Sequence, residues 1–207
     1  MKRLLIVRHG DTFLPGEAPR RIGARTDLPL TPRGETQAGE VAAWLRAGGI
    51  EPDLALTGPL QRATRTARLL LAALPRPCPL REAGWLDEVD YGPDEGRPED
   101  EVVARIGAEA LARWDRTAEP ASGWPVDRAA RIAACGAEIA ALPVGTTLLV
   151  TSNGTARFLL LALGLGAGQP SLKLRTGAIG EVQIAGTAAR LCRWNVRPGD
   201  ESAGIAC

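Results

Sequence analysis

The chain has 207 residues, 45% of them hydrophobic and 24% charged, with 25 Lys+Arg against 24 Asp+Glu for a net charge of +1. This is ordinary globular composition; it excludes a disordered or low-complexity chain and argues against a dedicated nucleic-acid or polybasic membrane protein. A single histidine, His9, excludes a multi-histidine metal site, and the four cysteines stand far apart with no C-x-x-C pair, so a reduced cytoplasmic chain without a zinc knuckle is expected.

The amino terminus opens basic and apolar like a secretory leader, but the run over residues 4–7 ends at Arg8-His9, too short for a leader's hydrophobic region. No stretch approaches the roughly 20 apolar residues of a membrane span. Residues 4–7 read instead as a buried parallel strand with Arg8-His9-Gly10 at its exit. Residues 13–29, rich in Pro, Gly and Arg, read as a surface loop. Thr31-Pro32 starts a helix, Ala38, Val41, Ala42 and Leu45 follow at helical spacing, and Gly48-Gly49 stops it. Residues 53–57 form a second short strand, after which Gly58-Pro59 opens a helix with Ala63, Ala67 and Leu70 on its apolar face.

Residues 80–100 are loop-like and acidic. One helix is expected from Pro98 to about residue 115 and another over 126–141. Residues 146–151 make the clearest strand, 152–154 its exit loop and 155–163 the next helix. Residues 181–185 and 190–196, joined around Gly186, read as a hairpin. Strands alternating with helices predict an α/β fold, a three-layer α/β/α sandwich with a mostly parallel central sheet and a C-terminal hairpin. The expected organisation is one domain over 1–207, with residues 76–125 as a cap over the site. Ligands of such sheets bind beyond the carboxyl ends of the strands. Those ends carry Arg8-His9-Gly10, Thr57-Gly58 and Ser152-Asn153-Gly154.

A lone histidine is more often structural than catalytic, and His9 alone leaves both readings open. Its place beside Arg8 and Gly10 suits chemistry: neutral imidazole is a nucleophile near pH 7, an arginine fork holds phosphate, and glycine lets backbone approach a ligand. Arg62, in the first turn of the helix after the second strand, adds a cation where free N–H groups already favour an anion. Arg65 and Arg68 read as a solvated helix face.

In these residues the chain resembles the histidine phosphatase superfamily, also called phosphoglycerate mutase-like. The resemblance runs through Leu5-Ile6-Val7-Arg8-His9-Gly10-Asp11-Thr12, through Arg25-Thr26-Asp27-Leu28-Pro29-Leu30-Thr31 with Gly34, Gln37 and Ala38, and through Leu60-Gln61-Arg62-Ala63 with Thr66-Ala67. Leu86-Asp87-Glu88-Val89-Asp90-Tyr91-Gly92 with Glu95-Gly96 completes it. The resemblance implies that His9 becomes a phosphohistidine, that Arg8 and Arg62 clamp the phosphoryl oxygens, and that Glu88 exchanges protons with the leaving oxygen and the attacking water. The alternative for Glu88 is an ordinary surface carboxylate in an acidic loop, and its spacing to Tyr91-Gly92, which is the family's, favours the acid. Thr12 and Arg25 are carried over as substrate contacts, or else as loop-fixing residues.

One departure stands out. After the strand at 146–151 the family has Ser-His-Gly, whereas this chain has Ser152-Asn153-Gly154. Asn153 can donate hydrogen bonds but cannot become a cation, and it can alternatively cap the following helix. Gly154 joins the expected substrate-binding set. The expected activity is a phosphatase, needing no metal or other cofactor, that hydrolyses a small phosphomonoester through His9. The alternatives are a catalytically weak phosphate-binding relative and a phosphoglycerate-type mutase; the short 92–125 region leaves little room for the mutases' insertion. The expected partner is a small phosphorylated metabolite, not nucleic acid or membrane, with a homodimer left open.

Overall fold

The computed structural model describes residues 1–200. Its first strand, β1 (Lys2–Arg8), is completely buried over Leu4, Leu5, Ile6 and Val7. Alternation sends Leu5 and Val7 to one face and Leu4 and Ile6 to the other. Helix α1 (Pro32–Ala47) starts where expected: the Thr31 hydroxyl accepts from Gly34 N–H at 3.1 Å, proline follows, and Gly48 ends it. Strand β2 (Leu54–Thr57) leads into α2 (Gln61–Ala72), and β3 (Leu80–Glu82) follows.

The next segment departs from expectation. The loop-like 80–100 stretch contains β3 and two short 3-10 turns, Gly84–Leu86 and Gly92–Asp94. The single helix expected from Pro98 is two, α3 (Glu99–Ile106) and α4 (Ala108–Thr117), broken at Gly107, whose φ of +83° no α-helix accommodates. Helix α5 (Arg128–Ala141), capped by Asp127, precedes β4 (Gly145–Thr151) and α6 (Asn153–Ala162), and β5 (Ile179–Ala185) with β6 (Ala188–Val196) makes the hairpin.

The sheet order is β3-β2-β4-β1-β5-β6. Strands β1, β2, β3 and β4 run parallel, while β5 and β6 are antiparallel additions at one edge. On one face Leu5, Val7, Leu148 and Val150 pack against Val41 and Leu45 of α1 and Ala67 and Leu70 of α2. On the other, Leu4, Ile6 and Leu149 share a core with Phe158 of α6, Ile139 of α5 and Trp114 of α4. The three-layer arrangement is thus present. Trp114 meets Trp124 and Phe158 edge-on at centroid distances of 5.2 and 5.9 Å, a geometry worth about 0.5–1.5 kcal/mol per pair beyond area burial.

Two helices start differently from the sequence reading. Helix α2 begins at Gln61 and has no cap of its own; Asp27, from the loop before α1, accepts from Gln61 N–H at 2.8 Å. Helix α6 begins at Asn153, so the expected exit loop is already helical. Cys78 and Cys135 are free thiols.

Candidate active site

His9 follows β1 and is 2% exposed. Its Nδ1 lies 2.8 Å from the Gly10 carbonyl oxygen. A carbonyl can only accept, so Nδ1 carries the proton and Nε2 keeps its lone pair. Burial, and then the charges of Arg8 and Arg62, hold the imidazole pKa well below its usual 6.5, outweighing the Gly10 hydrogen bond that favours protonation. The ring is therefore a neutral base with a nucleophilic nitrogen at physiological pH. The turn that presents it is steric: a Cβ on Gly10 would lie 2.2 Å from the Gly34 carbonyl oxygen. The Gly10 N–H donates to Thr66 of α2 at 3.1 Å, tying the turn to the helix that carries Arg62.

Neither arginine beside His9 has a carboxylate in ion-pair contact among the described residues. Arg8 donates from Nη1 to the Leu174 carbonyl at 2.9 Å. Arg62, 0% exposed, donates to the Thr26 and Gly23 carbonyls at 2.5 and 3.0 Å. The Nε–H of each is buried without a partner. Burial lowers both pKa values, Arg8 to about 10, so both remain cations at neutral pH. Two desolvated guanidinium groups with unfilled donors make a site for an anion.

Glu88 is 5% exposed, which sets aside its reading as a surface carboxylate. Its Oε2 accepts from Gly154 N–H at 3.0 Å, and its Oε1 from Thr155 N–H at 3.2 Å and Val89 N–H at 2.9 Å. The carboxylate thereby supplies the acceptors that the first turn of α6 lacks. Its acidic neighbours have other work: Asp90 pairs with Arg25 at 3.1 Å, and Asp94 takes Arg105 and the Trp124 indole N–H. Asn153 does not cap α6. Its Oδ1 accepts from Leu174 N–H at 2.9 Å, and the residue lines the neighbouring cavity.

That cavity encloses about 390 Å³. Arg8, Thr12, Glu88 and Asn153 all line it; His9 and Arg62 are not among its lining residues. Two expected substrate contacts have protein partners in the structure. Arg25 is exposed and clips Asp90 and the Gly92 carbonyl, so it fixes a loop. Gly154 spends its N–H on Glu88, and a Cβ there would fall 2.2 Å from Glu88 Oε1, so it makes room for the carboxylate.

The cavity also holds residues the sequence reading did not single out. Tyr91 lines it, and burial, then Glu88, raise the phenol pKa, so the hydroxyl stays protonated. Its spacing of three from Glu88 was the available signal. Arg21 pairs with Glu99 at 2.5 Å and lies 5.1 Å from the Tyr91 ring centroid. Lys173 pairs with Asp115 at 2.9 Å, and Thr176 donates its hydroxyl to Asp11. Among the described residues no group of three or more His, Cys, Asp or Glu side chains is placed to hold a metal ion.

A family model described as the histidine phosphatase superfamily (branch 1) matches residues 4–197. The 2,3-bisphosphoglycerate-dependent phosphoglycerate mutase of Treponema pallidum (strain Nichols) is 34% identical over 116 residues, 56% of this chain and 45% of the mutase, so the match spans under half of that relative. Among solved structures, the alpha-ribazole phosphatase of Shigella flexneri superposes with a TM-score of 0.71 at 26% identity, covering 94% of this chain and 96% of that one. Mycobacterial glucosyl-3-phosphoglycerate phosphatase reaches a TM-score of 0.75 at 24% identity over 94% and 99% of the two chains, a likeness of fold.

Proposed function

The chain belongs to the histidine phosphatase superfamily, branch 1, and on that premise we propose that it is a phosphatase of small phosphomonoesters, working without metal through a phosphohistidine on His9. The observation that carries this reading is the neutral His9 ring, with Nδ1 tied to Gly10 and the Nε2 lone pair left over, next to two arginines that have no carboxylate partner among the described residues. In the first step the Nε2 lone pair forms a bond to phosphorus as the bond to the leaving oxygen breaks. Glu88, entering this step as the carboxylic acid, gives its proton to that oxygen, and the alcohol departs. Arg8 and Arg62 take up the charge spread over the phosphoryl oxygens. In the second step water attacks phosphorus, Glu88 takes its proton, the P–N electron pair returns to Nε2, and phosphate leaves.

Hydrolysis is favoured over mutase chemistry by the likeness to an alpha-ribazole phosphatase, which covers 94% of this chain and 96% of that one, and by the short 92–125 region, which leaves little room for the mutases' insertion. Asn153 supports a second reading, a weakly active phosphate-binding relative, because its amide brings no positive charge. Turnover of p-nitrophenyl phosphate by purified protein in the presence of chelator separates the two. Steady turnover supports the phosphatase; none, together with thermal stabilisation by inorganic phosphate, supports the binding protein.

A further inference from the structure

Glu95 has no cation partner among the described ion pairs, yet it takes four donors. Its Oε1 accepts from Gly23 N–H at 2.8 Å, Arg25 N–H at 3.1 Å and the Thr26 hydroxyl at 2.8 Å, and its Oε2 accepts from Tyr91 N–H at 3.2 Å. Three of these donors belong to one short stretch of loop. The carbonyls of Gly23 and Thr26 in that stretch are the two groups that hold the Arg62 guanidinium. The fourth donor belongs to the segment that carries Glu88 and Tyr91. Gly23 is shaped for this contact, since a Cβ there would sit 2.3 Å from Glu95 Oε2.

Arg62 cannot be oriented by a salt bridge without losing charge that a bound anion would use. Carbonyl acceptors orient it and leave its charge uncompensated, but a loop carbonyl is only as well placed as its loop. We propose that Glu95 is a positioning residue: by gathering the 23–26 backbone and the Tyr91 backbone on one carboxylate, it sets Arg62 in register with the side of the site that bears Glu88. This rests on the phosphatase reading for its effect on rate, but the placement of Arg62 is observable without turnover. Glu95 touches no substrate in this account and acts through Arg62 alone.

The test is a double-mutant cycle joined to a direct view of the guanidinium. Glu95→Ala should lower kcat/KM for p-nitrophenyl phosphate by about 100-fold, the scale of a misplacement near 1 Å. In an Arg62→Ala background the same change should alter kcat/KM by no more than about twofold. Glu95→Gln keeps one oxygen for the three loop donors and should fall between Glu95→Ala and wild type. The Arg62 Nε–H resonance, assigned by its absence in Arg62→Lys, should exchange slowly in wild type and faster, at a moved shift, in Glu95→Ala. Thr26→Val, which removes one of the four donors, should move it less in the same direction and serves if Glu95→Ala does not fold. Equal losses in the two backgrounds, or an unmoved resonance, would overturn the proposal. Absence of wild-type turnover would defeat the phosphatase reading alone, and the resonance would still decide the placement.

Discussion

Asn153→Asp separates two jobs that the wild-type amide performs at once. The amide oxygen accepts from Leu174 N–H at 2.9 Å, while the Leu174 carbonyl accepts from Arg8 at 2.9 Å, so residue 153 and Arg8 grip opposite sides of one residue. Asp115 secures the same segment, a strap over residues 172–176, through Leu172 N–H, at 2.7 Å, and through Lys173. An aspartate keeps the acceptor for Leu174 and nearly the same shape, so the melting temperature should stay within a few degrees, on the order of 1 kcal/mol for a domain of this size. It replaces the Nδ2 donors of this cavity-lining residue with an oxygen bearing charge. Losing one donor to a developing oxyanion costs about 2.7–4 kcal/mol, or 10²–10³ in kcat, and repulsion of the phosphoryl group acts in the same direction. The assay is kcat/KM on p-nitrophenyl phosphate beside calorimetric melting of both proteins. Wild-type kcat/KM in a well-folded Asn153→Asp protein would refute the donor role. The companion Asn153→His should gain less than about tenfold. Its Nδ1 can accept from Leu174 only while the ring is neutral, so the charge that would double the strength of the phosphate hydrogen bond costs the strap.

Gly154→Ala should lower kcat by about 10²-fold or more with the fold retained, because the new methyl lands on Glu88 and 3.0 Å from the Tyr91 hydroxyl; stopped assays with circular dichroism check it. Because the folded-state pKa of His9 lies below its unfolded value, the unfolded chain binds the extra proton first as pH falls below about 6.5, so stability drops by up to about 1.4 kcal/mol per pH unit down to the folded pKa. His9→Gln should therefore show a shallower loss of melting temperature between pH 7 and pH 5 than wild type, and parallel curves would contradict the depressed pKa. Asp94→Asn should destabilise the protein by about 1.5–3 kcal/mol in urea, since the fully buried carboxylate is held by Arg105 and by the Trp124 indole at 2.6 Å; an unchanged midpoint would show that the pair carries no stability.

Local patterns carried much of the fold. The run at residues 4–7, the Thr31-Pro32 start and the strand at 146–151 each announce themselves within a few neighbours, and the topology follows from their alternation. Gly107 is a readable signal as well, an isolated glycine inside a helical pattern, and without weight on it two helices merge into one. What the sequence hid depends on distant partners. Asp27 caps a helix 34 residues away, and Asn153 holds a strap residue 21 positions on, with no periodicity to reveal either contact. The strap itself, with Lys173 and Thr176, has neither strand nor helix pattern. Arg62 was legible as a cation near a helix start, but its orientation by two carbonyls, and Glu95 behind them, required the folded loop. Arg25 and Gly154 depend on the folded loop in the same way: their side-chain and backbone donors go to Asp90, Gly92 and Glu88, partners that no local pattern reveals.

The central claim is a covalent bond from phosphorus to His9 Nε2. Mixing the protein with a ³²P-labelled phosphomonoester and quenching within the first turnover tests it most directly. The expected product is a labelled protein that is stable to base and labile to acid, with the label on the peptide containing His9 and absent from His9→Ala. Turnover at the wild-type rate by His9→Ala, or rapid-quench samples that turn over substrate without ever carrying label, would contradict it.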